Sequence, residues 1–258
     1  MVGDDRVQRL LGGALALKGK APGSARQHVS RRLLVVAVGL GIAAPTASAA
    51  QDMGVQNPDA YLMDAGDEIA LSRSAGPPSV GDGATLLVMR LSGEYEEVVS
   101  GENGWTCFTG RAWTAPEAFR DGRRHWRAAD FDPEVRAPQC FNDQAAATVL
   151  GYYELQTSLL MKGAAPSEVD AAVDTAIREG RLRLPGAGAM SYMLSPRQHL
   201  GAQAGRLFPH LMFFTPFATD AWYGVPGNDP TLPMVSSGGT PWAVTVIRTP
   251  RWSDGTPG

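Results

Sequence analysis

None of the short motifs that announce common chemistries is present. There is no G-x-G-x-x-G, no phosphate-cradling Gly-Lys loop, no H-E-x-x-H, no C-x-x-C and no G-x-S-x-G. Their absence tells against the common nucleotide-binding, zinc-protease and α/β-hydrolase classes. Histidine is scarce, at four residues, and only His125, His199 and His210 follow residue 50. They share no regular spacing, so no metal site is expected, and nothing calls for a cofactor. Residues 1–50 hold seven of the 23 Lys+Arg and two of the 26 Asp+Glu, which leaves 16 basic and 24 acidic residues in 51–258, a formal charge of −8. Phosphate binding needs clustered Lys and Arg, so nucleic acid is a poor partner for that part. Lys162 is its only lysine. No apolar run reaches the roughly 20 residues that span a bilayer, so no stable membrane insertion is expected once a leader is removed.

What is present begins with an address. Arg31 and Arg32 precede the apolar stretch 33–45, and Ala47-Ser48-Ala49 follows in the A-x-A arrangement that a signal peptidase reads. Residues 29–50 are therefore expected to be a signal peptide, and the product to be exported, periplasmic or secreted. Residues 1–28 lie upstream. They are either a long n-region or not translated, and a start at Val29 has the more conventional proportions. Both cysteines, Cys107 and Cys140, follow the leader. An even count in an oxidising compartment reads as a disulfide. The alternative is a nucleophilic cysteine, which needs a neighbouring base that no signature supplies.

Residues 51–83 read as an N-terminal helix and a linker. Asn57-Pro58 is a helix start, the helix is expected over 59–73, and the Gly/Pro-rich run 76–83 leads into the body. Residues 84–258 read as one domain. The apolar run 84–91, then 95–99 and 105–109, are expected strands of a β-meander, with a hairpin-type turn at Asn103-Gly104. Residues 111–138, rich in Arg, Asp, Trp and Pro, form a long excursion between the two cysteines. Helices are expected from Asp143 to about Lys162 and again around 168–178. In the latter, Val169, Ala172, Val173, Ala176 and Ile177 make one apolar stripe. Strands follow at 190–194, 208–215 and 242–248, with a Gly/Pro/Asp-rich loop over 216–241. Strands, two helices, then strands predict an α+β fold, an antiparallel sheet with helices packed on one face.

Several residues are candidates for chemistry. His210 stands inside the apolar segment Phe-Pro-His-Leu-Met-Phe-Phe, which forces a choice between core and cleft. It is the weak candidate for a general base; otherwise it is a structural histidine with satisfied nitrogens. His199 reads as solvated, and His125 lies in the excursion. Asp64, Asp67 and Glu68 share a helix face, which reads as solvated. Asp220 and Asp229 suit turns. Aromatic residues gather at Trp105, Phe108, Trp113 and Trp126, and at Phe213, Phe214, Phe217, Trp222 and Tyr223. Of these, Trp105, Trp222 and Tyr223 are the candidates for a ligand platform, against the plainer reading of core. The segment 236–240 offers backbone N–H groups to an anion, or is a turn.

The order of blocks resembles a set of exported bacterial proteins with no assigned activity. The blocks are Asp82 to Val88, Asn103 to Cys107, Pro138 to Cys140 with Asp143, Tyr192 to Leu194, Pro209 to Met212 and Gly238 to Pro241. The resemblance implies an intact exported domain and carries no catalytic residue. It also implies a shorter stretch than 111–138. The expected function is a non-catalytic binding or envelope-associated domain. The alternative is an exported hydrolase with His210 as general base. A third reading, an interaction protein, expects the excursion to project into solvent.

Overall fold

The computed structural model describes residues 53–114, 119–120, 123–202, 204–224, 229 and 231–258. The expected signal peptide and the segment upstream of it lie outside the described residues. Ten strands and five α-helices are described, with 3-10 turns between them. The strands are β1 (Thr85–Met89), β2 (Tyr95–Val99), β3 (Trp105–Gly110), β4 (Phe119–Arg120), β5 (Arg123–Arg124), β6 (Ala137–Asn142), β7 (Met190–Met193), β8 (His210–Phe214), β9 (Met234–Ser236) and β10 (Val244–Arg248). The helices are α1 (Ala65–Arg73), α2 (Pro78–Gly81), α3 (Asp143–Ala145), α4 (Gly151–Met161) and α5 (Pro166–Arg178). Eight strands make one sheet in the order β2-β1-β3-β6-β7-β8-β10-β9, and β4 and β5 pair as a separate ribbon. Every pairing in the large sheet is antiparallel except that of β1 with β3. The fold is α+β.

The expected meander gives way to a different order. β2 leaves β1 antiparallel, but the chain then crosses to the other side of β1 and lays β3 there in parallel. Composition explains this. Leu86, Leu87, Val88 and Met89 are all buried, so β1 is apolar on both faces and needs a neighbour on each side. β2 carries exposed Glu96 and Glu97 and suits an edge. The turn at Asn103-Gly104 serves the crossover. Gly104 has φ +75°, and a Cβ there would lie 2.9 Å from an Asp143 carboxylate oxygen, so glycine alone fits.

The helices divide between the two faces of this half of the sheet, which corrects the one-faced layout. Side chains alternate along a strand, so Cys107 and Thr109 point to one side and Phe108 to the other. On the first side, Ser72 of α1 shares a 2.8 Å hydroxyl contact with Thr109. Val80 of α2 joins Leu86, Cys107 and Cys140 in a small cluster there. On the second side, Tyr153 of α4 meets Phe108 and Phe141 at ring distances of 6.1 and 5.8 Å. α5 adds Val169 and Val173 to that larger core. The sheet is apolar on both faces, so one layer of helices cannot cover it.

Several elements differ locally. The segment 59–73 splits into a 3-10 turn, Pro58–Tyr61, and α1, because Asp64 interrupts it and caps α1 by accepting from the N–H groups of Gly66 and Asp67. The linker 76–83 contains α2 and packs instead of spanning. The helix expected from Asp143 is capped by Asn142, which accepts from Ala145 N–H, and it passes through a π-helical turn, Ala146–Leu150, into α4. β9 lies in what reads as loop.

Parts of the described excursion pack against the body, where the third reading expects it to project into solvent. Arg111, Trp113, Asp130, Phe131 and Val135 are buried. The Trp113 indole N–H donates to Thr157 of α4 at 2.9 Å, and Tyr61 donates to the Phe131 carbonyl at 2.6 Å. Trp126 stacks on Phe131 and donates to Asp170 of α5 at 3.0 Å. Backbone bonds between Arg136 and His199 tie the end of the excursion to the loop that follows β7.

Candidate functional site

The register across β6, β7, β8 and β10 decides what faces the larger core. Cys140 is opposite Tyr192, Met193 is opposite His210, and His210 is opposite Arg248. The same register sets Gln139 beside Met193. Directly opposed residues share a face, so Gln139, Met193, His210 and Arg248 form one cross-strand row. The neighbouring row holds Met212, Val246 and Met234. Above these rows sits a cavity of about 380 Å³. Its floor is Gln139, Met193, His210, Met212 and Val246, and its walls come from the excursion (Arg127, Asp130, Val135) and from the loop after β7 (Leu200, Leu207). The volume falls within the range of small-molecule sites, roughly 300–1,000 Å³.

His210 is 3% exposed. Its Nδ1 is 2.8 Å from the Phe208 carbonyl oxygen. A carbonyl only accepts, so Nδ1 carries the hydrogen and Nε2 of the neutral ring is an acceptor. Burial pushes the ring's pKa down, with the Phe208 hydrogen bond opposing and the Arg248 charge adding to the depression. The Phe208 ring lies edge-on to the imidazole at 5.4 Å, and the Arg248 guanidinium sits 3.6 Å over that Phe208 ring. Among the described residues, no carboxylate, serine, threonine or cysteine side chain is hydrogen-bonded to His210.

The two arginines that border the cavity, Arg111 and Arg127, are each paired with a carboxylate, and the Asp132 carboxylate accepts from Glu134 N–H. Arg111 donates to the Tyr61 and Thr109 carbonyls and to the Glu68 carboxylate, the last at 2.9 Å. Both members of that ion pair are fully buried. Burial pushes the Glu68 pKa up, and Arg111 opposes it. The Asp130 carboxylate takes both the side chain and the backbone N–H of Arg127, each at 2.9 Å. Gln139 is 3% exposed, and its amide oxygen is buried without a hydrogen-bond partner.

No family model, curated protein or solved structure matches this chain. The site therefore has to be read from its own geometry.

Of the candidate residues singled out in the sequence, His210 lines the cavity, as does Ser236 at the start of the segment 236–240. Trp105 is half-buried on the other face of the sheet, 5.0 Å from the Tyr192 ring. Trp222 and Tyr223 are exposed, and the Tyr223 hydroxyl contacts that of Thr245 at 2.8 Å. These three aromatics are not brought together. Cys107 and Cys140 are opposed across β3 and β6 and are joined by a disulfide. Both are fully buried, on the face away from the cavity. Asp64, Asp67 and Glu68 part company: Asp64 caps α1, and Glu68 is core instead of solvated. Asp220 accepts from Val235 N–H and Asp229 from Thr231, so both serve turns. His199 is half-buried and His125 exposed. Among the described residues, no group of three or more His, Cys, Asp or Glu is placed to hold a metal ion. No described helix is long and apolar enough to cross a membrane.

Sequence reasoning missed Gln139 and the matched pairs Arg111–Glu68 and Arg127–Asp130. Gln139 left a signal. It alternates with Ala137 and Phe141, both buried, so it occupies a core-facing position of an apolar strand.

Proposed function

We propose that the chain is an exported binding domain whose site is the cavity over β6, β7, β8 and β10. The carrying observation is a recessed, partly open space, more apolar than polar, with methionines, a neutral imidazole and a buried amide on its floor. That combination is the usual make-up of a small-molecule site. The leader at 29–50 and the buried disulfide support export. So do the blocks shared with exported bacterial proteins, most of which fall on or beside β1, β3, β6, β7 and β8, neighbours in the sheet. Native mass spectrometry of the disulfide-bonded protein recovered from its exported fraction tests the reading. A small molecule should ride with the folded protein and leave on denaturation. Ala129→Phe, which adds bulk at the cavity wall, should lose it. A protein that carries nothing in either form sinks the proposal.

Export itself has a separate test. N-terminal sequencing of exported material should show cleavage after Ala49, or after Ala50. A mature product that keeps residues 29–49 refutes it.

The hydrolase reading rests on His210, whose Nδ1–H is held by a carbonyl so that Nε2 is basic. A general base also needs a nucleophile or a water-orienting group within about 2.6–3.2 Å, and among the described residues no side chain is hydrogen-bonded to it. His210→Ala should therefore act on stability, lowering it by about 1–3 kcal/mol by leaving the Phe208 carbonyl unpaired. An unaltered unfolding curve would favour the catalytic reading. Because the folded-state pKa lies below that of the unfolded chain, the buried imidazole adds stability that is fully present above the unfolded pKa, about 6.5. That part is lost as the pH falls from there towards the folded pKa. The wild type should show this acid-side loss, and His210→Ala should not.

A further inference from the structure

We infer that the cavity selects a largely apolar molecule that has no negative charge and bears a hydrogen-bond donor, received by His210 Nε2 and the Gln139 amide oxygen. The inference rests on the binding reading and adds the ligand's chemical class. Three observations carry it. The floor and most of the walls are apolar: Met193, Met212, Val246, Val135, Leu200 and Leu207. An apolar enclosure favours a molecule with more carbon than polar surface. The cationic groups at the edge are already matched. Arg111 answers Glu68, and Arg127 answers Asp130. The remaining charge among the described lining residues is the Asp132 carboxylate, which accepts from Glu134 N–H. A carboxylate or phosphate entering here would lose its hydration without a countercharge, which is costly. Two polar atoms of lining residues can act only as acceptors. Nδ1–H is committed to Phe208, which leaves Nε2 only its lone pair. The Gln139 oxygen is buried without a hydrogen-bond partner. One strand, β7, lies between theirs, so two strand spacings set the two residues about 9–10 Å apart along the floor. A molecule of modest length with a hydroxyl or amide N–H at one end, or at both, matches that layout.

Three of the chain's nine methionines, Met193, Met212 and Met234, line the cavity and serve as reporters. The experiment titrates the disulfide-bonded protein, carrying 13C-methyl methionine, with octan-1-ol, 1-methoxyheptane and octanoate at pH 7.5. The three probes share their apolar bulk. Only the alcohol has a neutral donor, and only octanoate has a charge. Octan-1-ol should shift the three methyl resonances with an affinity at least tenfold above the other two. In His210→Leu the alcohol and the ether should bind alike, and in Gln139→Met the gap between them should narrow. If either variant fails to fold, the wild-type comparison decides alone. Equal binding of alcohol and ether to the wild type, or tightest binding of octanoate, overturns the inference and leaves the binding reading standing. If none of the probes moves these methyls, the binding reading fails with it.

Discussion

Arg111→Met should lower the unfolding free energy by about 3–5 kcal/mol, the largest effect expected of any single substitution outside the apolar core. Arg111 and Glu68 are fully buried and 2.9 Å apart. Removing the guanidinium strands a carboxylate where no water reaches it. It also orphans the carbonyl of Tyr61, while the Thr109 carbonyl keeps the Tyr95 hydroxyl as a donor. Urea unfolding followed by tryptophan fluorescence measures the loss. The double variant Arg111→Met, Glu68→Met should recover the part due to the stranded charge, and retain the cost of the Tyr61 carbonyl. The loss should also depend on pH. Burial already raises the Glu68 pKa, and deleting Arg111 raises it further. A group whose folded pKa is raised stabilises most below its unfolded pKa, about 4.3. The single variant should therefore be least impaired in acid and lose stability as the pH rises through the folded pKa. A single variant within about 1 kcal/mol of wild type at neutral pH would show that the pair does not brace α1 against β3.

Cys107→Ala, Cys140→Ala should cost about 3–4 kcal/mol, because the bridge closes a loop with a sequence separation of 33. For a domain of this size that is a fall in Tm of roughly 7–15 °C. The entire excursion lies inside that loop, so the free chain has its whole length to disorder when the bridge is gone. Both sulfurs are fully buried beneath α1 and α2, and Ser72 of α1 offers a carbonyl 3.7 Å from the Cys140 sulfur. Dithiothreitol should therefore leave the folded protein oxidised and reduce it only in denaturant. Peptide mapping without reductant should recover the linked pair. Two free thiols in folded protein would refute the bridge. The cavity lies on the other face of the sheet, so a variant that still folds should keep whatever binding the cavity has.

Much of the element plan follows from local pattern. The apolar stripe of α5, the continuous apolar run of β1 and the turn glycine at 104 are short-range features. Each is dictated by side chains within one or two turns of the chain. The disulfide was legible from count and compartment, although its place between two adjacent strands was not. What lay beyond reach was every arrangement that depends on residues distant in the chain. Glu68 reads as one of three surface carboxylates until Arg111, 43 positions later, is seen against it. Trp113 and Phe131 read as parts of a loop until α4 and Tyr61 receive them.

The sequence by itself determined that this is an α+β chain with a leader-like segment, two paired cysteines, an apolar strand at residues 85–89 and a histidine set in an apolar strand. Tertiary structure alone decided that β3 lies on the far side of β1, that helices cover both faces, that the excursion packs as a wall, and that Gln139 and His210 share the floor of one cavity. The reason is physical. Backbone period and turn chemistry act over a few residues and are written locally. Strand order, the partner of a buried charge and the shape of an enclosed space are settled by which surfaces must leave water together, and that is a property of the whole chain.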